Sequence, residues 1–151
     1  MKGTEQENPF GYDSEQDDAP PPMMITGGPS LPSITKRKWG TYEILLETPT
    51  YVVKELIIEP RQSISRQRHY YRSEQWIVLE GTGKIVLENM DFTWHNKVQP
   101  ASRIKIDPMV WHWIKNTDHE KPLHILETWF GPVLEESDIE REKFDETTVS
   151  E

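Results

Sequence analysis

Cysteine is absent from the 151 residues. Disulfides, thiolate metal sites, iron–sulfur clusters and a cysteine nucleophile are therefore excluded. Long apolar runs are missing too. No stretch approaches the roughly 18–20 apolar residues that span a bilayer, so no membrane partner is expected. The N-terminal segment holds no basic-then-apolar run, so a cytoplasmic protein without a secretory signal is expected. Basic residues are dispersed, with no stripe interleaved with aromatics, and nucleic acid is not expected as a partner. Hydrophobic residues make up only 34%, and mean hydropathy is −0.74. Such a deficit fits a small core diluted by polar tails.

The charge is unevenly placed. The whole chain has a net charge of −9. Residues 1–35 hold six acids and one base, and residues 135–151 hold eight acids and two bases. The middle, 36–134, has 12 acids and 14 bases, so the body is near neutral and an anionic ligand is compatible with it. The N-terminal segment also carries six of the 12 prolines, with Pro20-Pro21-Pro22 and a Gly27-Gly28-Pro29 break. Residues 1–33 are expected to be a disordered or loosely attached segment, and 142–151 an acidic tail. One or two acidic helical turns are expected over Glu135–Glu142.

The body, 34–141, reads as all-β. Strand-like runs fall at Tyr42–Leu46, Tyr51–Glu59, Ser63–His69, Glu74–Glu80, Lys84–Glu88, Arg103–Ile106, His112–Lys115 and Leu123–Phe130. Most are rich in β-branched or aromatic residues and bounded by Gly, Pro, Asn or Asp. Glu80-Gly81-Thr82-Gly83 is a hairpin signal. Asn89–Pro100 has no clear pattern. Short strands at this density predict a jelly-roll or small barrel.

Four side chains stand at a metal-site spacing. Gln67 and His69 share one face of a strand, and Arg66 and Arg68 then point to the other. A turn over Tyr70–Ser73 returns Glu74 to their side. A second β segment, Pro108-Met109-Val110-Trp111-His112, supplies another histidine. Imidazole nitrogen and carboxylate oxygen suit a divalent metal ion such as Zn, Mn or Fe, with positions left open for substrate. Gln67 adds a neutral oxygen.

Gln67-x-His69-x4-Glu74-x6-Gly81 resembles the first cupin motif, with glutamine in place of its first histidine. Pro108-x3-His112-x3-Asn116 resembles the second. Cupins are double-stranded β-helix barrels, in line with the strand reading. Arg37-Lys38-Trp39-Gly40-x-Tyr42-Glu43 and Tyr71-Arg72-Ser73-Glu74-x-Trp76 resemble segments of the mannose-6-phosphate isomerase domain of bifunctional type II enzymes, where it is fused to a mannose-1-phosphate guanylyltransferase. Ile125-x-Glu127 and Gly131-x2-Leu134-x-Glu136-x-Asp138-Ile139-x-Arg141 follow its C-terminal run. Where that family usually has glycine, this chain has Arg61 and Met109.

The resemblance implies a metal-dependent interconversion of mannose-6-phosphate and fructose-6-phosphate in nucleotide-sugar or polysaccharide biosynthesis. Gln67, His69, Glu74 and His112 are then the metal ligands. Glu127, on a late barrel strand, is the candidate catalytic base. Lys54, which shares a strand face with Val52, Leu56 and Ile58, is a candidate for the phosphate, together with Arg72 and Arg37. A homodimer is expected, as is common for cupins. The alternatives are a cupin that binds a sugar or metabolite without turnover and, third, a cupin oxygenase.

Overall fold

Alternation between buried and half-exposed side chains along Tyr51–Ile58 and Leu123–Phe130 sets the architecture. The computed structural model describes residues 33–142. The segments expected over 1–33 and 142–151 lie outside the described residues, apart from the border residues Ser33 and Glu142. In chain order the strands are β1 Ile34–Arg37, β2 Gly40–Glu47, β3 Tyr51–Ile58, β4 Gln67–Arg68, β5 Ser73–Glu80, β6 Gly83–Glu88, β7 Thr93–Val98, β8 Arg103–Ile106, β9 Trp111–Asn116, β10 Leu123–Phe130 and β11 Glu140–Arg141. They form two antiparallel sheets, ordered β1-β2-β3-β10-β5-β8 and β11-β4-β9-β6-β7. The all-β jelly-roll expectation is met.

The inner faces of the two sheets meet in one core. Ile58, Trp76, Ile85, Ile114, Leu123 and Ile125 are almost wholly buried there. Each such side chain contributes about 1.5–3 kcal/mol relative to exposure. The same alternation places polar groups inside. On β3, Lys54 faces inward between Val52 and Leu56, and on β10 Glu127 faces inward between Ile125 and Trp129. The register sets Glu127 opposite Lys54 on one side and Trp76 on the other, and Trp129 opposite Glu74.

Three local expectations need correction. Glu80–Gly83 is not a hairpin, because β5 and β6 lie in different sheets. It is a corner. Gly81 takes φ +89° there, and a Cβ on it would stand 2.6 Å from the Pro122 carbonyl oxygen. Ser63–His69 is not one strand. Only Gln67 and Arg68 pair regularly, with a lone bridge from Ser63 to Lys115. The acidic stretch after Phe130 is not helical. It crosses the barrel as an irregular strap and ends in β11, which pairs with β4. The carboxylates of Glu136, Asp138, Glu140 and Glu142 find partners on the body, and those contacts replace helical hydrogen bonds.

Candidate metal centre

His69 follows β4 directly, Glu74 is the second residue of β5, and His112 is the second residue of β9. Three strands of both sheets thus deliver them to one point. One ligand atom from each lies within 4.8 Å of the others, and all three side chains are buried. His69 Nε2 stands 3.0 Å from Glu74 Oε1, and His112 Nε2 stands 3.6 Å from Glu74 Oε2.

The hydrogen bonds behind the rings decide how they present themselves. His69 Nδ1 lies 2.6 Å from the Asp138 carbonyl oxygen, and His112 Nδ1 lies 2.9 Å from that of Val110. A carbonyl oxygen only accepts, so each Nδ1 carries a proton and each Nε2 faces the centre. His112 Nε2 is buried without a hydrogen-bond partner among the described residues. An unsatisfied buried group costs about 1–3 kcal/mol. Burial, partly offset by the Glu74 charge, pushes the His112 imidazole down to about 4, so it is neutral at pH 7 with its lone pair available. Burial alone would raise the Glu74 carboxyl. The close approach of His69 Nε2 and then the charge of the Arg72 guanidinium outweigh that and hold it well below the usual range.

This donor set fits a divalent ion. Two buried imidazole nitrogens and an ionised carboxylate converge, and one nitrogen has no other use. Gln67 is the Cα partner of His112 across β4 and β9 and lines the adjoining cavity. The four residues read from the motif spacing are therefore neighbours.

A cavity of about 380 Å³ opens beside this cluster, with Gln67, Arg72, Glu127 and Lys54 in its wall. The Lys54 ammonium lies 3.8 Å from the centre of the Trp129 ring and 4.5 Å from that of Tyr42, and it pairs with the Glu136 carboxylate of the strap. Glu127 accepts a 2.5 Å hydrogen bond from Trp129 Nε1. Burial first, then repulsion from Glu74, pushes its carboxyl up to about 8 against the opposing pull of Lys54 and Arg72.

Arg72 is not a free cation at a turn. It is 3% exposed, donates from Nε to Glu74 Oε1 at 2.9 Å and from Nη1 to the Glu135 carbonyl at 2.9 Å, and stacks 3.5 Å from the Trp129 ring centre. Its guanidinium serves the carboxylate of the cluster. Arg37 is exposed at the end of β1, over Tyr42, at the cavity wall. Arg66 and Arg68 face outward as alternation requires. They cover Trp111 and pair with Glu88, Glu142 and Glu140.

Sequence reasoning missed the work of the strap. Glu136, Ile139 and Arg141 close one side of the cavity. The motif at Glu136–Arg141 is visible in the sequence, but its partners lie about 70–80 residues away.

Met109 occupies the loop before β9 with φ +69°, and its N–H donates to the His69 carbonyl at 2.7 Å. The left-handed region costs a non-glycine residue roughly 1–2 kcal/mol. Met109→Gly is expected to stabilise the fold by about 0.5–1 kcal/mol, since the relieved backbone strain exceeds the partial burial lost from a side chain that is 41% exposed. A thermal melt rising by roughly 3–6 °C checks this.

Residues 32–145 match the family model "Mannose-6-phosphate isomerase C-terminal". The chain is 32% identical over 107 residues to mannose-1-phosphate guanylyltransferase 2 of Escherichia coli O157:H7, covering 71% of this chain and 21% of that protein. It is 34% identical over 106 residues to the alginate biosynthesis protein AlgA of Pseudomonas putida, covering 70% and 21%. The chain thus spans about a fifth of these relatives. Among solved structures, the capsular polysaccharide assembling protein CapF from Staphylococcus aureus superposes with a TM-score of 0.63 at 17% identity, over 74% of this chain and 34% of that one. Oxalate decarboxylase from Bacillus subtilis gives 0.65 at 10%, over 73% and 30%. Both show the cupin double-stranded β-helix fold. With the matched region covering the whole barrel, the chain belongs to the mannose-6-phosphate isomerase C-terminal family of cupins.

Proposed function

We propose that the protein is a metal-dependent sugar-phosphate isomerase that interconverts mannose-6-phosphate and fructose-6-phosphate. The observation that carries this reading is one cavity lined by the protonatable Glu127, the caged Lys54, Gln67 and Arg72, of which Arg72 bonds Glu74 and Gln67 pairs with His112 of the adjoining His69–Glu74–His112 cluster. Moving a proton between adjacent carbons needs an acid–base group with a pKa near the working pH, and burial brings Glu127 to about 8. His69, Glu74 and His112, with Gln67 beside them, would hold a divalent ion. Such an ion, when bound, polarises the sugar's carbonyl and hydroxyl oxygens. Arg72 keeps Glu74 ionised and fixed. Lys54 would take the phosphate by releasing Glu136, whose carboxylate is more than half exposed and returns easily to water. Arg37 lies on the cavity wall as a second cation.

A coupled assay for fructose-6-phosphate formation from mannose-6-phosphate, with metal analysis of the same sample, tests the reading. A metal-replete protein without turnover would overturn it in favour of a sugar-binding module, a reading favoured by the pairing of Lys54 with Glu136 inside the chain.

Lys54 and Glu136 have opposite expected effects. Lys54→Met should raise KM by roughly 10-fold or more with kcat nearly unchanged, because the anchor acts alike in ground and transition states. Glu136→Gln removes the competing carboxylate and should lower KM by about two- to fivefold, the range of a part-exposed ion pair. Steady-state kinetics on both variants checks the pair of signs.

A further inference from the structure

The strap that follows β10 holds one carboxylate in an unusual setting. Asp138 is 6% exposed although its neighbours Glu135, Glu136 and Ser137 are exposed. Its Oδ1 accepts from the Tyr70 N–H at 2.8 Å, and its Oδ2 accepts from the N–H groups of Tyr71 at 3.2 Å and Arg72 at 3.1 Å. These are three successive backbone donors of the turn between His69 and Glu74. The Asp138 main-chain carbonyl accepts a hydrogen bond from His69 Nδ1 at 2.6 Å. Both the side chain and the backbone of one residue therefore grip the segment that carries two members of the cluster.

We infer that Asp138 is a positioning residue of the metal centre: its carboxylate clamps the Tyr70–Arg72 turn so that its own carbonyl fixes the tautomer and aim of His69. The inference rests on the metal reading of the cluster and adds a residue that the motif spacing leaves out. His69 is held from two directions. Its carbonyl receives the Met109 N–H from the loop before β9, and its ring nitrogen is held by the strap. With Nδ1–H bound to Asp138, Nε2 has no choice but to face Glu74. Without that carbonyl, the ring is free to exchange tautomers and rotate, and the Nε2 lone pair is presented for only part of the time. Partners behind a metal-binding imidazole are typically worth 10–100-fold in affinity.

The chemistry of the clamp suggests its test. A carboxylate offers acceptors on both oxygens, whereas an amide turns one of them into a donor. In Asp138→Asn the NH2 group must face at least one of the three turn N–H groups, and one hydrogen bond becomes a clash of donors. The chain trace changes little, so the variant separates positioning from mere presence of the strap. Glu140→Gln is the control. Glu140 accepts from Arg68 Nε and the Tyr70 hydroxyl, both at 2.7 Å, and so also ties the strap to the body, but it touches neither His69 nor the turn N–H groups.

Three measurements on the full chain decide the matter. In the metal-free wild type, nitrogen NMR of the imidazoles should find His69 protonated at Nδ1 at neutral pH. Calorimetric titration of the metal-free protein with Zn2+ should show Asp138→Asn weakened by about 10-fold or more and Glu140→Gln by less than about twofold. Hydrogen exchange at the Tyr70, Tyr71 and Arg72 amides should accelerate in Asp138→Asn and not in Glu140→Gln. A His69 that carries its proton on Nε2 alone in the wild type overturns the inference, whether or not any variant folds. Equal loss of Zn2+ affinity in both variants also overturns it, because the strap would then act only as a support. A wild type that does not bind Zn2+ while His69 is protonated at Nδ1 and the amides respond as expected removes the metal reading and leaves the clamp on His69 standing.

Discussion

Replacing His112 by alanine is expected to abolish metal binding and with it isomerase activity. His112 supplies one of the two imidazoles in the cluster, and its Nε2 has no other partner among the described residues. The affinity loss should exceed about 100-fold, the upper end of what even indirect supports of a metal site contribute. Stability gives a readout independent of turnover. A ligand that binds only the folded state stabilises by about 4 kcal/mol at a thousandfold excess over its Kd, which for a domain of this size raises the melting temperature by more than about 10 °C. Wild type should show that rise with Zn2+ or Mn2+ and lose it with a chelator, while His112→Ala should melt at one temperature under all three conditions. His95→Ala, on the exposed strand β7, serves as the control and should behave as wild type. A full metal-induced rise in His112→Ala would show that the ion binds elsewhere and would sink this placement of the centre.

The parts of the fold that can be read from the sequence are those where one face of a strand is buried and the other is not. Tyr51–Ile58 and Leu123–Phe130 alternate without a break, so the inward direction of Lys54 and the bounds of the second strand follow from period two, the first being read one residue too long, to Glu59. Strand β7 escapes because five of its six residues are exposed and no alternation exists to read. β11 escapes because two residues make no pattern, and β4 is read too long, as Ser63–His69, because its pairing is set by the barrel around it. The cluster is legible through motif spacing, since Gln67, His69 and Glu74 are close in sequence. The partners of its members are not. Arg72 looks like a free cation in the sequence, and only the three-dimensional approach of Glu74, Trp129 and the Glu135 carbonyl reveals that it is committed. The two departures from family glycines, Arg61 and Met109, both sit at positive φ, 66° and 69°. Positive φ is the backbone setting that glycine takes at least cost, which a single sequence does not state.

Glu127→Gln is expected to slow turnover by roughly 100-fold or more while metal content stays at the wild-type level, because the carboxylate is assigned the proton and not the ion. The same variant should be more stable than wild type at alkaline pH, and the sign follows from where the proton sits. Burial and the Glu74 charge raise the folded-state pKa of Glu127 to about 8, from an ordinary value near 4.5. Between those values the folded protein holds a proton that the unfolded chain has lost. The contribution of Glu127 to wild-type stability therefore falls as pH rises through that window and levels off above about 8. Glutamine keeps an oxygen for the Trp129 Nε1 hydrogen bond but has no proton to lose. Its advantage should thus be small near pH 4.5 and grow to about 2–5 kcal/mol by pH 8–9, at about 1.4 kcal/mol per pKa unit. In wild type, kcat/KM should rise with pH toward about 8, as the basic form of Glu127 is populated. Denaturant melts of both proteins at pH 5, 7 and 9, with chelator present so that metal does not contribute, measure the difference directly. A pH-independent difference would mean that Glu127 is ionised throughout, and a variant that keeps full activity would remove it from the reaction.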